Sequence, residues 1–105
     1  MRVTVSHSKP KQEVVRAVDR SFDDLFRDSA FIPLKIENEQ RSWTGSVMTF
    51  SFNARAGLLS APIKGTVTVT DQEITIDADL GIIERLVGGK ARAAIENKVK
   101  GLLRA

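Results

Sequence analysis

The segment from Ile63 to Leu80 sorts its side chains into an apolar row and a polar row, and this pattern constrains the fold more than any other feature. Apolar or small residues occupy every second position on both sides of Asp71-Gln72. A slip of one residue would turn the apolar row to water, so we predict an antiparallel hairpin with one register. That register pairs Val69 with Ile74, Val67 with Ile76, Gly65 with Ala78, Ile63 with Leu80, Thr70 with Glu73, Thr68 with Thr75, Thr66 with Asp77 and Lys64 with Asp79.

The rest of the chain supplies three more strands and two helices. Alternation of apolar and polar residues predicts strands at Arg2–Ser6, at about Phe31–Gln40 and at Trp43–Ala54. In the second of these, Pro33 lies near the start, and Leu34 and Ile36 point inward. Spacing of 3.6 residues predicts helices at about Lys9–Arg27 and Lys90–Leu103. The order β-α-β-β-β-β-α indicates an α+β fold, a sheet of about five antiparallel strands with both helices on one face. The 105 residues fit one domain, 1–105.

Three features outside the regular pattern are candidates for contact with a partner. Counting by alternation, Trp43 points away from the face of Met48, Phe50 and Phe52 unless a bulge intervenes before Met48. In the outward orientation Trp43 could anchor a partner, whereas the simpler alternative is that it closes the end of the sheet. We expect Arg55–Ala61 to be the longest loop, with Leu58 and Leu59 near its tip. An edge strand could also pair two copies into a homodimer.

The residues that could support catalysis are few. Cysteine is absent, which excludes disulfides, thiolate metal sites and a cysteine nucleophile. His7 is the single histidine, and one at a strand–helix junction is more often a capping or surface residue than a base, which needs a positioned partner. Asp77 and Asp79 fall on the polar row opposite Thr66 and Lys64, where a solvated face with one cross-strand ion pair accounts for them. We therefore predict no catalytic residue, no metal, no cofactor and no enzymatic activity.

Positive charge is concentrated at the C-terminal end. From Glu84 onward there are six basic residues and two acidic ones. The basic residues Lys90, Lys98, Lys100 and Arg104 lie away from the apolar stripe of the last helix. Such a face is either simply solvated or a footprint for an anionic surface or nucleic acid. No aromatic residue lies between the basic ones, which argues against a nucleic-acid partner.

The chain also carries no sign of export or membrane insertion. Met1 leads directly into an alternating segment rather than into an apolar run. No stretch approaches the roughly 18 apolar residues of a membrane span. We therefore expect a cytoplasmic protein.

Several segments together resemble the polyhydroxyalkanoic acid system family, small bacterial proteins encoded near genes for polyhydroxyalkanoate synthesis and granules. His7 ahead of the first helix and the basic final helix are also similar, and the likeness covers most of the chain. Leu80-Gly81 departs from the Leu-Pro expected there. The segments are Trp43-Thr-Gly45, Phe50-Ser-Phe52, Ile63-Lys-Gly-Thr-Val-Thr-Val-Thr-Asp71, Ile74 and Ile76.

The resemblance implies a bacterial cytoplasmic protein linked to storage-polyester granules, with no established activity and no catalytic residues to transfer. Our hypothesis is a non-catalytic accessory protein that contacts the granule surface or a granule protein, with Trp43, Leu58 and Leu59 as apolar contacts. The alternative is a small binding module for an acyl chain or other apolar ligand, because the element order also resembles a shortened helix-grip domain.

Overall fold

A computed structural model describes residues 1–27, 35–82, 84–85 and 89–104 of the chain. Its order confirms the predicted β-α-β-β-β-β-α arrangement. The elements are β1 (Arg2–Ser6), α1 (Lys11–Arg27), β2 (Lys35–Thr44), β3 (Val47–Ala56), β4 (Leu59–Val69), β5 (Glu73–Asp79) and α2 (Gly89–Arg104).

The five strands form one antiparallel sheet in the order β1-β5-β4-β3-β2. The predicted hairpin register is confirmed for β4 and β5, where Val69 pairs with Ile74 and Gly65 with Ala78. β1 joins the free side of β5 with Val5 opposite Ile74. The strict alternation of apolar residues therefore fixed the centre of the sheet.

The turn at Asp71-Gln72 is held by the preceding threonine. Thr70 Oγ1 accepts hydrogen bonds from the backbone amides of Gln72 (3.3 Å) and Glu73 (2.9 Å). The Thr70 amide donates to the Glu73 carbonyl at 2.8 Å. A side-chain oxygen thus supplies the stability that an Asn-Gly turn would supply through its backbone preference.

The core lies between one face of the sheet and the two helices. Helix α1 contributes Phe22, whose ring packs edge-on against Phe50 with centroids 5.0 Å apart. Phe50 in turn stacks on Phe52 at 6.1 Å. The buried core residues are Val3, Val5, Val14, Val18, Phe22, Met48, Phe50, Phe52, Ala54, Ala61, Ile63, Val67, Val69, Ile74, Ile76, Ala78, Leu80, Ala91, Ile95 and Val99.

Gly65 sits where this core leaves no room for a side chain. A Cβ atom there would overlap the carbonyl oxygen of Asp77 and would lie 2.8 Å from Ala78 Cα and 2.9 Å from the Phe50 ring. The close approach of β4 to β5 under the Phe50 ring therefore requires glycine.

The boundary between β2 and β3 differs from the prediction. β2 extends to Thr44 and a turn at Gly45-Ser46 separates it from β3, whereas we predicted that the third strand begins at Trp43. Gly45 has a φ of 62°, as a type II′ turn requires at its first central position. The start of the predicted second strand, residues 31–34 (which include Pro33 and Leu34), lies outside the described residues.

The predicted orientation of Trp43 is wrong because of the turn at Gly45-Ser46. Alternation counted through the turn assigned Trp43 to the outer face, but the turn resets the count. Trp43 is directly opposite Met48 in the β2–β3 register, and the two side chains share the helix-covered face. Trp43 is half-buried and packs against the core.

The predicted long loop at Arg55–Ala61 is instead a tight hairpin. β3 and β4 remain paired out to Ala56 and Leu59, and Gly57-Leu58 forms the two-residue turn between them. Gly57 has a φ of 63°, which again suits a type II′ turn. Pro62 is tolerated in β4 because β5 ends at Asp79, opposite Lys64, so Pro62 has a strand partner only on the β3 side.

Both edge strands carry features that oppose further strand pairing. On β1, the Arg92 side chain donates to the Arg2 carbonyl at 3.1 Å. On β2, the register shifts between Glu37 and Gln40, and Asn38 has a φ of 55°. Bulges and covered edges are common protections against edge pairing. The predicted homodimer through an edge strand stays a prediction, and Gln40–Thr44 is the regular edge segment that it would use.

Candidate functional site

His7 ties the end of β1 to the β4–β5 turn. Its Nε2 donates to the Thr70 carbonyl at 2.8 Å, and its Nδ1 accepts from the Lys9 amide at 3.2 Å. Its own backbone amide donates to the Gln72 carbonyl at 2.9 Å. These bonds correspond to the neutral imidazole with hydrogen on Nε2. With both ring nitrogens engaged by the backbone, His7 has a structural role at this junction.

The two hairpin carboxylates are also held by local partners. Asp77 and Asp79 lie on the outer, exposed face of β5. Asp77 Oδ2 is 3.8 Å from Arg2 Nε, so the ion pair crosses to β1. Asp79 Oδ1 accepts from the Gly81 amide at 3.0 Å and so shapes the turn after β5. Within the described ranges, no three His, Cys, Asp or Glu side chains cluster in a way that could hold a metal ion.

Trp43 belongs to a polar cluster that joins the edge strand β2 to α1. Its Nε1 donates to Asp19 Oδ1 at 3.0 Å, and Arg41 Nε lies 3.5 Å from the same oxygen. The Arg41 guanidinium sits 5.4 Å from the centre of the Phe22 ring, a cation–π distance. Trp43 is therefore committed to a contact inside the fold on one side, which limits its use as an anchor for a partner.

Sequence reasoning missed Asp19 and Arg41 because this contact joins side chains of a helix and a strand, and Trp43 and Asp19 are 24 positions apart in the chain. Asp19 follows Val18 on the helix, at the border of the apolar stripe. A carboxylate at such a border is the signal that could have pointed to a partner on the sheet, but nothing in the periodicity names that partner.

Exposed apolar side chains lie at one end of the sheet, and we call them the apolar tip. They are Leu58, whose relative exposure is 105%, with Leu59 at 41% and Ile82 at 48%. Leu58 and Leu59 belong to the β3–β4 hairpin turn and its first pair. Gly81 lies beside Ala61 and Pro62 of β4, which brings Ile82 to the same end. The structure therefore brings together the two predicted leucines and adds Ile82.

The four basic residues predicted on α2 do not form one patch. Lys98 Nζ donates to the Asp24 carbonyl of α1 at 2.6 Å, so it joins the two helices. Lys90 is exposed in the first turn of α2. Lys100 and Arg104 lie at the opposite end of the helix, against the segment that follows β1.

Lys100 and Arg104 line a shallow groove of about 310 Å³, which we call the basic groove. It opens between the C-terminal turns of α2 and the chain that connects β1 to α1. Of the described residues that line it, three are cationic and none is acidic. Its lining residues are Val5, Ser6, His7, Ser8, Lys9, Lys100, Leu103 and Arg104.

The outer face of the sheet is a polar surface. Thr4 and Thr75 hydroxyls lie 3.3 Å apart across β1 and β5. Toward β2 the face is concave, and a groove of about 430 Å³ is lined mainly by hydroxyl and amide side chains together with Lys64. One face packed and one solvated is the usual arrangement of an antiparallel sheet.

The helices of the described chain are too short and too polar to cross a membrane. α1 has 17 residues and α2 has 16, whereas a span needs about 20 apolar residues. No helix among the described residues meets the length and hydropathy of a span.

Comparison with known proteins assigns the chain to a family. No curated protein matches the chain. The family described as "Putative polyhydroxyalkanoic acid system protein" matches residues 1–103. The match includes all five strands and all but the last residue of α2, and its description names no reaction. The chain therefore belongs to this polyhydroxyalkanoic acid system protein family.

Proposed function

We propose that this protein is a non-catalytic accessory protein of polyhydroxyalkanoate metabolism, cytoplasmic and associated with granules, that contacts the granule surface through its apolar tip. The observation that carries the proposal is Leu58, a fully exposed leucine on a tight hairpin turn. Family membership supports the biological setting.

The geometry of the tip suits insertion into an apolar surface. The β3–β4 pairing continues to Ala56 and Leu59, so the turn is already ordered before it meets a partner. Little conformational entropy is then lost on contact, because the leucines are presented in place. Neighbouring Arg55 pairs with Glu37 at 3.5 Å, which lowers the cost of bringing that charge near the surface.

The expected contact is weak for one molecule. Full burial of a leucine or isoleucine side chain contributes about 1.5–3 kcal/mol. Leu58 can contribute all of that, and Leu59 and Ile82 a fraction each, because both are partly covered already. A total of about 4–5 kcal/mol corresponds to a dissociation constant near 1 mM. Reversible coating of a large surface by many copies fits that strength.

Two observations favour surface contact over the other hypotheses. Between the sheet and the helices, Phe22, Phe50 and Phe52 fill the described core with ring-to-ring contacts. This packing does not favour the alternative of an acyl ligand held there. The former candidates for catalysis, His7, Asp77 and Asp79, are engaged by backbone or ion-pair partners, which supports a non-catalytic role.

The test is co-sedimentation with two kinds of particle, protein-free polyhydroxybutyrate and native granules. With the particles in large excess, a measurable fraction of the wild-type protein should pellet with both, as an affinity near 1 mM requires. The double variant Leu58→Ser/Leu59→Ser should bind at least about tenfold more weakly, because it removes most of the apolar area. Gln72→Ser is the matched control, since it alters an exposed turn at the other end of β4, and it should bind like the wild type.

The results with the two kinds of particle distinguish contact with the polymer surface from contact with a granule protein. Binding only to native granules would replace the polymer surface by a granule protein as partner. A wild-type protein that stays in the supernatant with both particles, or a double variant that binds as well as the wild type, would overturn it. Thermal unfolding of every variant shows that a loss of binding is not a loss of fold.

A further inference from the structure

A second surface, at the opposite end of the sheet, points to a different kind of ligand. The apolar tip lies where β4 begins, whereas the basic groove lies where β1 ends and α1 begins. We propose that the basic groove binds a small organic anion, through an oxyanion head of the carboxylate or phosphate type that carries a short apolar tail. This inference is independent of the proposed granule contact.

The charge of the groove is the first argument. Lys9 approaches from the segment before α1, and Lys100 and Arg104 approach from the end of α2. Among the described residues, Lys100 and Arg104 form no ion pair, and the groove lining contains no carboxylate. Two cations from the end of α2 therefore lie on one side of the groove and Lys9 lies on the other, an arrangement of positive charge that attracts anions.

The donors in the groove match an oxyanion. Arg104 offers a planar guanidinium suited to paired oxygens, and Lys100 adds a compact positive charge. Ser6 and Ser8 are also among the lining residues. His7 is not one of the ligands, because its ring nitrogens bond to Thr70 and Lys9.

The rest of the lining favours an anion with an apolar part. Leu103 is half-buried and forms one wall, and Val5 lies at the base with 7% exposure. The groove of about 310 Å³ lies at the low end of the usual range for small-molecule sites. It is open to solvent, so a few carbon atoms beyond the head would find apolar contact while the remainder stays in water.

The expected affinity is low and depends on salt. Exposed ion pairs contribute little individually, so a dissociation constant on the order of millimolar is expected. A higher salt concentration should weaken binding several-fold, because exposed charges are screened. A change from acetate to butyrate should strengthen binding about threefold, since two methylene groups are partly buried.

The experiment is a titration of the isotope-labelled full chain, followed by the backbone amide signals of Ser8, Lys9 and Leu103. The probes are acetate, butyrate, inorganic phosphate and butyl phosphate, at constant ionic strength. Saturable shifts at these amides are expected. The double variant Lys100→Gln/Arg104→Gln should bind at least about fivefold more weakly, having lost both cations of α2.

The control is Lys64→Gln/Arg85→Gln, which removes the same charge from sites outside the groove and should bind like the wild type. Saturation by carboxylates only, or by phosphates only, supports the site and assigns its head group. The proposal is overturned by any of three results: no saturable shift up to about 50 mM of any probe, equal binding by Lys100→Gln/Arg104→Gln, or equal shifts from chloride alone. Unfolding curves that match the wild-type curve confirm that the variants are folded.

Discussion

The two hairpin turns at opposite ends of β4 are built in different ways. At Asp71-Gln72, the Thr70 hydroxyl accepts two backbone amides and His7 bonds to the Thr70 carbonyl, so side chains close the turn. At Gly57-Leu58, a glycine with positive φ closes the turn and Leu58 projects fully into solvent. In the first turn the named side chains stabilise the fold, whereas in the second the apolar side chain adds nothing to it.

That difference indicates where to look for function in a small domain. A large apolar side chain at an ordered turn costs solubility, and isolated cases are common on protein surfaces. Here Leu58 is accompanied by Leu59 and Ile82 at the same end. Variants along β4 and at its two ends can therefore separate residues that hold the fold from residues that are free to meet a partner.

Gly65→Ala should have the largest effect, because Gly65 holds the middle of β4 against β5 and so supports both ends. The new methyl group would collide with the backbone of Asp77 and Ala78 and with the Phe50 ring. Overpacking of this kind costs about 3 kcal/mol or more when backbone must move. Urea unfolding followed by Trp43 fluorescence measures the change.

Gly101→Ala is the matched control for Gly65→Ala. Gly101 lies within α2, and a Cβ atom there would meet nothing within 4 Å. Alanine should therefore raise the free energy of unfolding by about 0.5–1 kcal/mol. A Gly65→Ala protein as stable as the wild type would show that β4 and β5 are less tightly packed than described.

Gly81→Pro should come next, and it tests the departure from the Leu-Pro pair that the family resemblance led us to expect at Leu80-Gly81. Gly81 has a φ of 57° and donates its amide to Asp79 Oδ1. Proline fixes φ near −65° and has no amide hydrogen. We expect the free energy of unfolding to fall by about 2–3 kcal/mol. Gly81→Ala should lower it by a smaller amount, about 1–2 kcal/mol, because alanine is only strained by the left-handed conformation and keeps the amide hydrogen. A Gly81→Pro protein of unchanged stability would show that this corner readily adopts another conformation.

Thr70→Val should have an intermediate effect and tests the side-chain closure of the Asp71-Gln72 turn. Valine keeps the shape of threonine but removes the oxygen that accepts the Gln72 and Glu73 amides. Because the site is exposed, water can take the place of the lost hydrogen-bond acceptor in part. We therefore expect the free energy of unfolding to fall by about 1 kcal/mol. Amide hydrogen exchange should increase at Gln72 and Glu73. If exchange there is unchanged, the threonine does not hold the turn.

The parts of this fold that follow from the sequence are those in which neighbouring residues carry the information. The β4–β5 register was predictable because a period of two leaves one pairing that buries Val67, Val69, Ile74 and Ile76 together. The order of elements followed from the change between periods of two and 3.6.

The errors arose at glycine turns inside apparently continuous patterns. We counted the side chains from Trp43 through Phe52 as alternating between the two faces of one strand. The turn at Gly45-Ser46 was therefore missed, and Trp43 was assigned to the wrong face. The segment Arg55–Ala61 was predicted to be a loop, although Gly57 makes a tight turn there and β3 and β4 stay paired out to Ala56 and Leu59. A single glycine thus marks either a tight turn or an irregular loop, and its neighbours in sequence do not decide between them.

The candidate surfaces were predictable only in part, because a surface combines distant segments. Leu58 and Leu59 were found because they are apolar residues near the tip of a predicted loop, but Ile82 joins them only through the packing of Gly81 beside β4. Helical spacing suggested one basic face on α2. Lys98 instead reaches the Asp24 carbonyl, and Lys100 and Arg104 form a groove with residues almost a hundred positions away.

Leu58→Ser should have the smallest effect on stability and bears most directly on the comparison of the two turns. An exposed side chain without partners contributes little to the fold, so the free energy of unfolding should change by less than about 0.5 kcal/mol. Retention on a hydrophobic-interaction column should fall, together with binding to polyester particles. A loss of stability above 1 kcal/mol would show that Leu58 packs within the protein after all.

Adding Gln72→Leu to the Leu58→Ser protein asks whether location matters or only the presence of one exposed leucine. At that turn, the acidic side chains of Asp71 and Glu73 flank the new residue and would have to lose water on contact with an apolar surface. At the apolar tip, Leu59 and Ile82 enlarge the contact instead. We therefore expect Gln72→Leu not to restore particle binding. Full restoration would mean that the contact is unspecific adhesion, because a single exposed leucine would then suffice at either end of β4.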